Sequence, residues 1–165
     1  MYRTCVALLG AAALAVAGCG GDDGKDAGSS GGGPALTKAQ FIAKATTICR
    51  DTKKAQLPFT DKVASLPDRT DIKRVAPLLV SALGESRKGY DKLRALPAPK
   101  QDKVLLDRYF AAAGRLLDAL EDLANAAKAS NRPAGAKVAR QTAALTADAR
   151  TKAQAYGLTG CGDVF

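Results

Sequence analysis

The groups able to do covalent chemistry in this sequence are few: four cysteines, at positions 5, 19, 49 and 161, and no histidine at all. A thiolate serves as nucleophile, as lipid acceptor or as half of a disulfide, according to its surroundings. Without histidine there is no Ser-His-Asp or Cys-His triad, no His-ligated zinc, and no ordinary general base near neutral pH. Carboxylates remain. Asp118 lies three and four residues before Glu121 and Asp122, so a helix places all three on one face. Arg115 sits among them and the opposite face is rich in leucine, which makes a solvated polar face the plain reading. A glycosidase-type carboxylate pair or a calcium site is the alternative. Tyr90, Tyr109 and Tyr156 fall on or beside apolar stripes and are expected at the edge of a core with their hydroxyls in water. A ligand pocket or a Tyr-ligated haem is the alternative for them. The sequence assigns no catalytic residue, no metal ligand and no cofactor.

The setting of the first two cysteines decides their fate. Arg3 supplies a positive start, no acidic residue precedes Asp22, and Val6 to Ala17 is an unbroken apolar run, too short for the roughly 20 residues that span a bilayer. Small residues then lead into a cysteine in Val16-Ala17-Gly18-Cys19. This resembles the lipobox of bacterial lipoproteins. The resemblance implies transfer of a diacylglyceryl group to the Cys19 sulfur, cleavage between Gly18 and Cys19, and acylation (palmitate, for example) of the new amine. Residues 1–18 would be the signal peptide and Cys5 would leave with it. Gly20 to Ala35 holds no large apolar residue and cannot build a core. Residues 19–36 are therefore read as a lipidated, flexible tether, and sixteen residues of Gly-rich coil have an r.m.s. span of about 20–24 Å. The expected location is the extracytoplasmic face of a cell membrane, held there by lipid.

Residues 37–165 must supply the folded domain, and their spacing predicts four helices and no strand. The first, over 38–56, opens with Thr37 and Gln40 at capping-box spacing and is ended by Pro58. Phe41, Ile42, Ala45, Ile48, Cys49 and Thr52 recur along one of its faces. The second runs from about 71 to 96 with Ile72, Val75, Leu79, Leu83, Tyr90 and Leu93 as its stripe; Pro77 kinks it or marks its true start. The third, over 100–129, is the most strongly patterned, from Val104, Leu105, Tyr109 and Phe110 through Leu116, Leu117 and Leu120 to Ala127. The fourth, over 134–156, closes at Gly157 and Leu158, a terminating glycine followed by an apolar contact. Helices joined by short loops prefer antiparallel neighbours, so the fold expected is all-α, an up-down four-helix bundle. Alanine supplies much of the 47% hydrophobic content and Trp is absent, which suits helices.

Cys49 on the first helix, the Leu-Pro ends, and the closing Tyr156-Gly157-Leu158-Thr159-Gly160-Cys161-Gly162 together resemble a group of small exported helical proteins of high-GC Gram-positive bacteria. That group has no established activity, so the resemblance implies architecture and adds no site residues. With Cys5 removed and Cys19 acylated, Cys49 and Cys161 are the two thiols left, and in an exported chain they are expected to pair. Cys49 lies about 18 Å along its helix from Thr37. The tail must then fold back beside the first helix, or the fourth helix must stop well above Thr37.

The formal net charge is +9. Over 38–56, Lys38, Lys44, Arg50, Lys53 and Lys54 stand against Asp51 alone; over 134–156, Lys137, Arg140, Arg150 and Lys152 stand against Asp148 alone. If the first and fourth helices are neighbours, Lys44, Lys53, Lys54, Lys137 and Arg140 are the candidates for one basic surface. Its partners would be anionic phospholipid or wall polymer; solubility is the competing explanation. Export argues against nucleic acid. The functional expectation is a non-catalytic binding or interaction module at the cell envelope, with an unknown protein partner also open. A small-ligand carrier or envelope enzyme using the bundle interior is the alternative.

Overall fold

The computed structural model describes residues 34–162 and 164. The segment read as a signal peptide, Cys5, Cys19 and the expected tether up to Gly33 lie outside the described residues. Four long helices follow: α1 Lys38–Ala64, α2 Ile72–Arg94, α3 Lys103–Lys128 and α4 Arg132–Tyr156, with short 3-10 turns at Lys100–Asp102 and Thr159–Cys161. They pack antiparallel in the order α1 on α2, α2 on α3, α3 on α4. The 3-10 turn after α4 fits against both α1 and α4.

The helix ends have local causes. Thr37 Oγ1 accepts from the Gln40 amide at 3.3 Å and Gln40 Oε1 accepts from the Thr37 amide at 3.0 Å, which completes the capping box. Asn131 Oδ1 caps α4 by accepting from the Ala134 amide. Gly157 takes φ 98°, and Leu158 N–H donates back to Ala153 O at 2.8 Å, the six-residue closure of a Schellman end. Leu158 is fully buried beneath it.

Pro58 does not end α1. The helix carries it as an interior residue and continues to Ala64, stopping just ahead of Leu66 and Pro67. Pro58 and Lys54 are both exposed, so the Lys54 carbonyl that a proline leaves unbonded lies on the wet side, where water satisfies it. Pro77 likewise sits inside α2, whose start is Ile72 behind the Asp71 cap. Neither proline removes a bond from a dry interior.

The core is lopsided. Phe41, Ala45 and Cys49 of α1, Tyr90 and Leu93 of α2, Leu106, Tyr109, Ala113 and Leu117 of α3, and Ala153 and Tyr156 of α4 pack with Leu158, Cys161 and Val164 of the tail. All of this gathers at the end where Thr37 begins α1. Beyond Thr52, α1 buries nothing, and before Ala149 neither does α4. Two positions expected on the α3 stripe are not buried at all: Val104 is 63% and Leu105 45% exposed, because the inward positions of that first turn belong to Leu106 and Tyr109.

Candidate functional site

Cys49 and Cys161 form a disulfide, Cα to Cα 5.2 Å across 112 residues of sequence. The tail reaches Cys49 by reversing at Gly157 and running back along α1. A Cβ on Gly157 would meet Ile42, one on Gly160 would meet Thr46, and Gln56 Nε2 donates to Val164 O at 3.0 Å. The same amide group donates to Ser86 Oγ on α2, so Gln56 ties α1, α2 and the tail at one point. Phe41 meets Tyr156 edge-on at 5.9 Å and the Lys38 ammonium lies 4.8 Å above the Tyr156 ring, which closes the same end from below. Of the two routes the sequence allowed, the chain takes the folded-back tail.

The five basic candidates, Lys44, Lys53, Lys54, Lys137 and Arg140, are all exposed, and none has an ion-pair partner among the described residues. They do not share one flank. Lys44 lies one turn before Ile48, which borders the groove against α2, whereas Lys53 lies one turn after Cys49, which faces the tail. The two are about two and a half turns apart in phase and leave opposite sides of α1. Lys137 is three turns from Asp148 on the α4 flank that meets Arg115 of α3. Nor are α1 and α4 packed neighbours along their length: α1 packs on α2 and α4 on α3, with the tail between α1 and α4, so the expected merging of their charges into one basic surface is not formed.

The acidic face of α3 is organised by a residue the sequence pattern did not single out. Arg87 of α2 donates to Asp118 at 2.5 Å and to Glu121 at 3.1 Å, and the Asp118 bond above all raises the guanidinium pKa further. Arg115 turns instead to Asp148 of α4, whose carboxyl is held below its usual range by Lys152 and then by Arg115. Asp118, Glu121 and Asp148 are thus cross-braces between helices, while Asp122 is exposed beside them. Among the described residues no cluster of three or more metal-binding side chains is assembled.

The tyrosines correct a second expectation. All three are buried rather than wetted at a core edge: Tyr90 6%, Tyr109 1% and Tyr156 2% exposed. Tyr90 Oη donates to Phe110 O and Tyr156 Oη to Asp102, both at 2.9 Å. Tyr109 Oη has no hydrogen-bond partner among the described residues. Burial is the main reason that all three phenols hold their protons more tightly than usual.

A larger concavity lies at the other end. A cleft of about 950 Å³ opens between the α1–α2 loop and the α3–α4 turn. Its apolar wall is Ile72, Leu123, Ala126 and Ala139, and its rim carries Asp68, Asp71, Lys73 and Arg132. Ser130 at the turn has φ 53°, the left-handed conformation seldom adopted without glycine. No helix among the described residues is long and apolar enough to cross a membrane. Compared with protein-family models, curated proteins and solved structures, the chain matches none.

Proposed function

We propose that the chain is an exported lipoprotein, anchored through Cys19 to the extracytoplasmic face of a cell membrane, whose helical domain is a non-catalytic binding or interaction module of the envelope. The observation that carries this reading is the Cys49–Cys161 pair. Such a crosslink persists in oxidising compartments, and it uses the two thiols that would remain once Cys5 is removed and Cys19 acylated. The signal-like segment and the disulfide are independent features of the chain, and both point outward. The unpaired charges of Lys44, Lys53, Lys54, Lys137 and Arg140 are available to anionic phospholipid or wall polymer. The packed tether-end core supports a module that works through its surface.

The anchor is tested with Cys19→Ser in the full chain. The variant is expected to lose fatty-acid labelling and to move from the detergent phase to the aqueous phase. Retained label on that variant overturns the lipoprotein reading.

A second reading, a small-ligand carrier, rests on the distal cleft, whose volume falls in the range that accommodates small molecules. It requires a bound molecule in native mass spectra of the membrane-extracted protein, expelled when Ala139→Trp fills the cleft.

A further inference from the structure

The point where the tether joins the domain is fixed. Leu36 N–H donates to Pro97 O at 3.3 Å, which lays the entering chain against the α2–α3 connection, and Thr37 caps α1 beside the end of α4. The 27 residues of α1 extend about 40 Å from there, roughly twice the r.m.s. span expected of the tether. With the anchor in place, the Thr37 end faces the lipid and the distal cleft faces away.

That membrane-proximal end carries an apolar pair with no packing role. Val104 is the most exposed large hydrophobic side chain among the described residues, its chain neighbour Leu105 is 45% exposed, close to Leu57 at 47%, and neither Val104 nor Leu105 belongs to a core cluster. Both sit in the first turn of α3, and helical Cα–Cβ bonds lean toward the N-terminus, so both lean toward the same end of the bundle. Lys100 lies four residues before Val104 and Arg108 four after it, while Lys103 adjoins it and pairs with Asp107 at 2.8 Å. Asp102, the other acid of this stretch, accepts from the Tyr156 hydroxyl and keeps its charge. Three cations stand against two carboxylates here, so an apolar centre with a net positive rim, presented where a lipid tether arrives, has the chemistry to meet an anionic bilayer surface.

We propose that the first turn of α3 is a membrane-docking surface: Val104 and Leu105 enter the interfacial layer of an anionic phospholipid bilayer, and Lys100, Lys103 and Arg108 meet its phosphates. The domain then stands upright on the membrane with its cleft turned outward, and Lys53, about 24 Å up α1 from Thr37, is left to wall polymer rather than phospholipid. This rests on the lipoprotein reading for its orientation, but the surface itself is testable without the anchor.

Because the sequence contains no Trp, a single Val104→Trp substitution reports one place only. The mature lipidated protein carrying it is reconstituted into vesicles of phosphatidylglycerol or of phosphatidylcholine. Docking predicts a blue-shifted emission and several-fold weaker quenching by aqueous acrylamide in phosphatidylglycerol, reduced in phosphatidylcholine and in high salt. Leu57→Trp, well along α1, stays fully quenchable in both. Adding Lys100→Glu, Lys103→Glu and Arg108→Glu to Val104→Trp restores full quenching, with unchanged helix content by circular dichroism. An indole at position 104 that stays as wet in anionic vesicles as one at position 57, or equal shielding at both positions, overturns the proposal. The mature chain with Cys19→Ser, mixed with excess phosphatidylglycerol vesicles, separates the two claims. Shielding of the indole at position 104 there supports docking even if native protein proves unlipidated. A wet indole at that position in anchored protein refutes docking and leaves the anchor standing.

Discussion

Replacing Cys49 and Cys161 together by Ala removes the crosslink without leaving a lone thiol behind. The two residues are 112 apart in sequence, so the bond closes nearly the whole domain into one loop. On the chain-entropy relation, a loop of that length lowers the entropy of the unfolded chain by about 16 cal/mol/K, or about 4.8 kcal/mol at 25 °C. A folded part of about 130 residues unfolds with an entropy near 270 cal/mol/K, so the double variant should melt about 15–20 °C lower. The assay is thermal unfolding followed by circular dichroism on oxidised protein, comparing parent, double variant and parent under reductant. The last two should coincide. Hydrogen exchange adds a local reading, because the Leu158 amide, bonded to Ala153 O of α4, and the Cys161 amide, bonded to Leu158 O, secure the tail that the disulfide holds against α1. Their protection should fall further than that of the α2–α3 contact. A double variant melting within about 4 °C of the parent refutes the reasoning, since that shift corresponds to only about 1 kcal/mol.

Tyr109→Phe deletes a buried hydroxyl without a partner among the described residues and is expected to stabilise the fold by about 1 kcal/mol in denaturant titration, whereas Tyr156→Phe breaks the bond to Asp102 and costs about as much; a destabilised Tyr109→Phe reveals a partner for that oxygen. Burial raises the Tyr109 and Tyr156 pKa values above the ordinary phenol value near 10, so the unfolded chain loses protons first and stability declines as pH rises beyond 10. Tyrosinate absorbance should then appear together with the loss of helix, and an earlier, separate rise in absorbance counts against the assignment. Gly89→Ala places a methyl 2.7 Å from Thr52 Cγ2 and 2.9 Å from Thr52 Cβ where α1 and α2 touch. It should cost about 1–3 kcal/mol of overpacking, less the helix-propensity gain of about 1 kcal/mol, and the deficit should shrink in a Thr52→Ala background.

Much of the architecture was legible because the signals were local. Thr37 with Gln40, and Gly157 with Leu158, act through bonds within a few residues, and the structure forms both as the spacing predicts. The cysteine pair was legible by elimination. Pro58 misled because the penalty for an interior proline depends on which side of the helix its orphaned carbonyl faces, and that is a tertiary fact. Val104 and Leu105 misled for a related reason: apolar spacing over α3 is wide enough to admit two stripes, and only packing against α2 and α4 selects Leu106, Tyr109 and Ala113. Arg87 and Gln56 were invisible because their roles lie between helices. The basic candidates could be named from charge alone, but their divergence needed the phase of Lys44 against Ile48 and of Lys53 against Cys49.

The clasp also has a history in time. If the chain is exported as proposed, it emerges from its N-terminal side, so Cys49 would reach the oxidising compartment and wait for another 112 residues before its partner arrives. No cysteine lies between the two, and the thiols that could intercept it during that wait are those upstream, at positions 5 and 19. In a lipoprotein, proteolysis discards the first and acylation blocks the second. Maturation at the membrane would thus act as a proofreading step for oxidation, leaving the late-arriving Cys161 as the one thiol on the same chain with which Cys49 can pair.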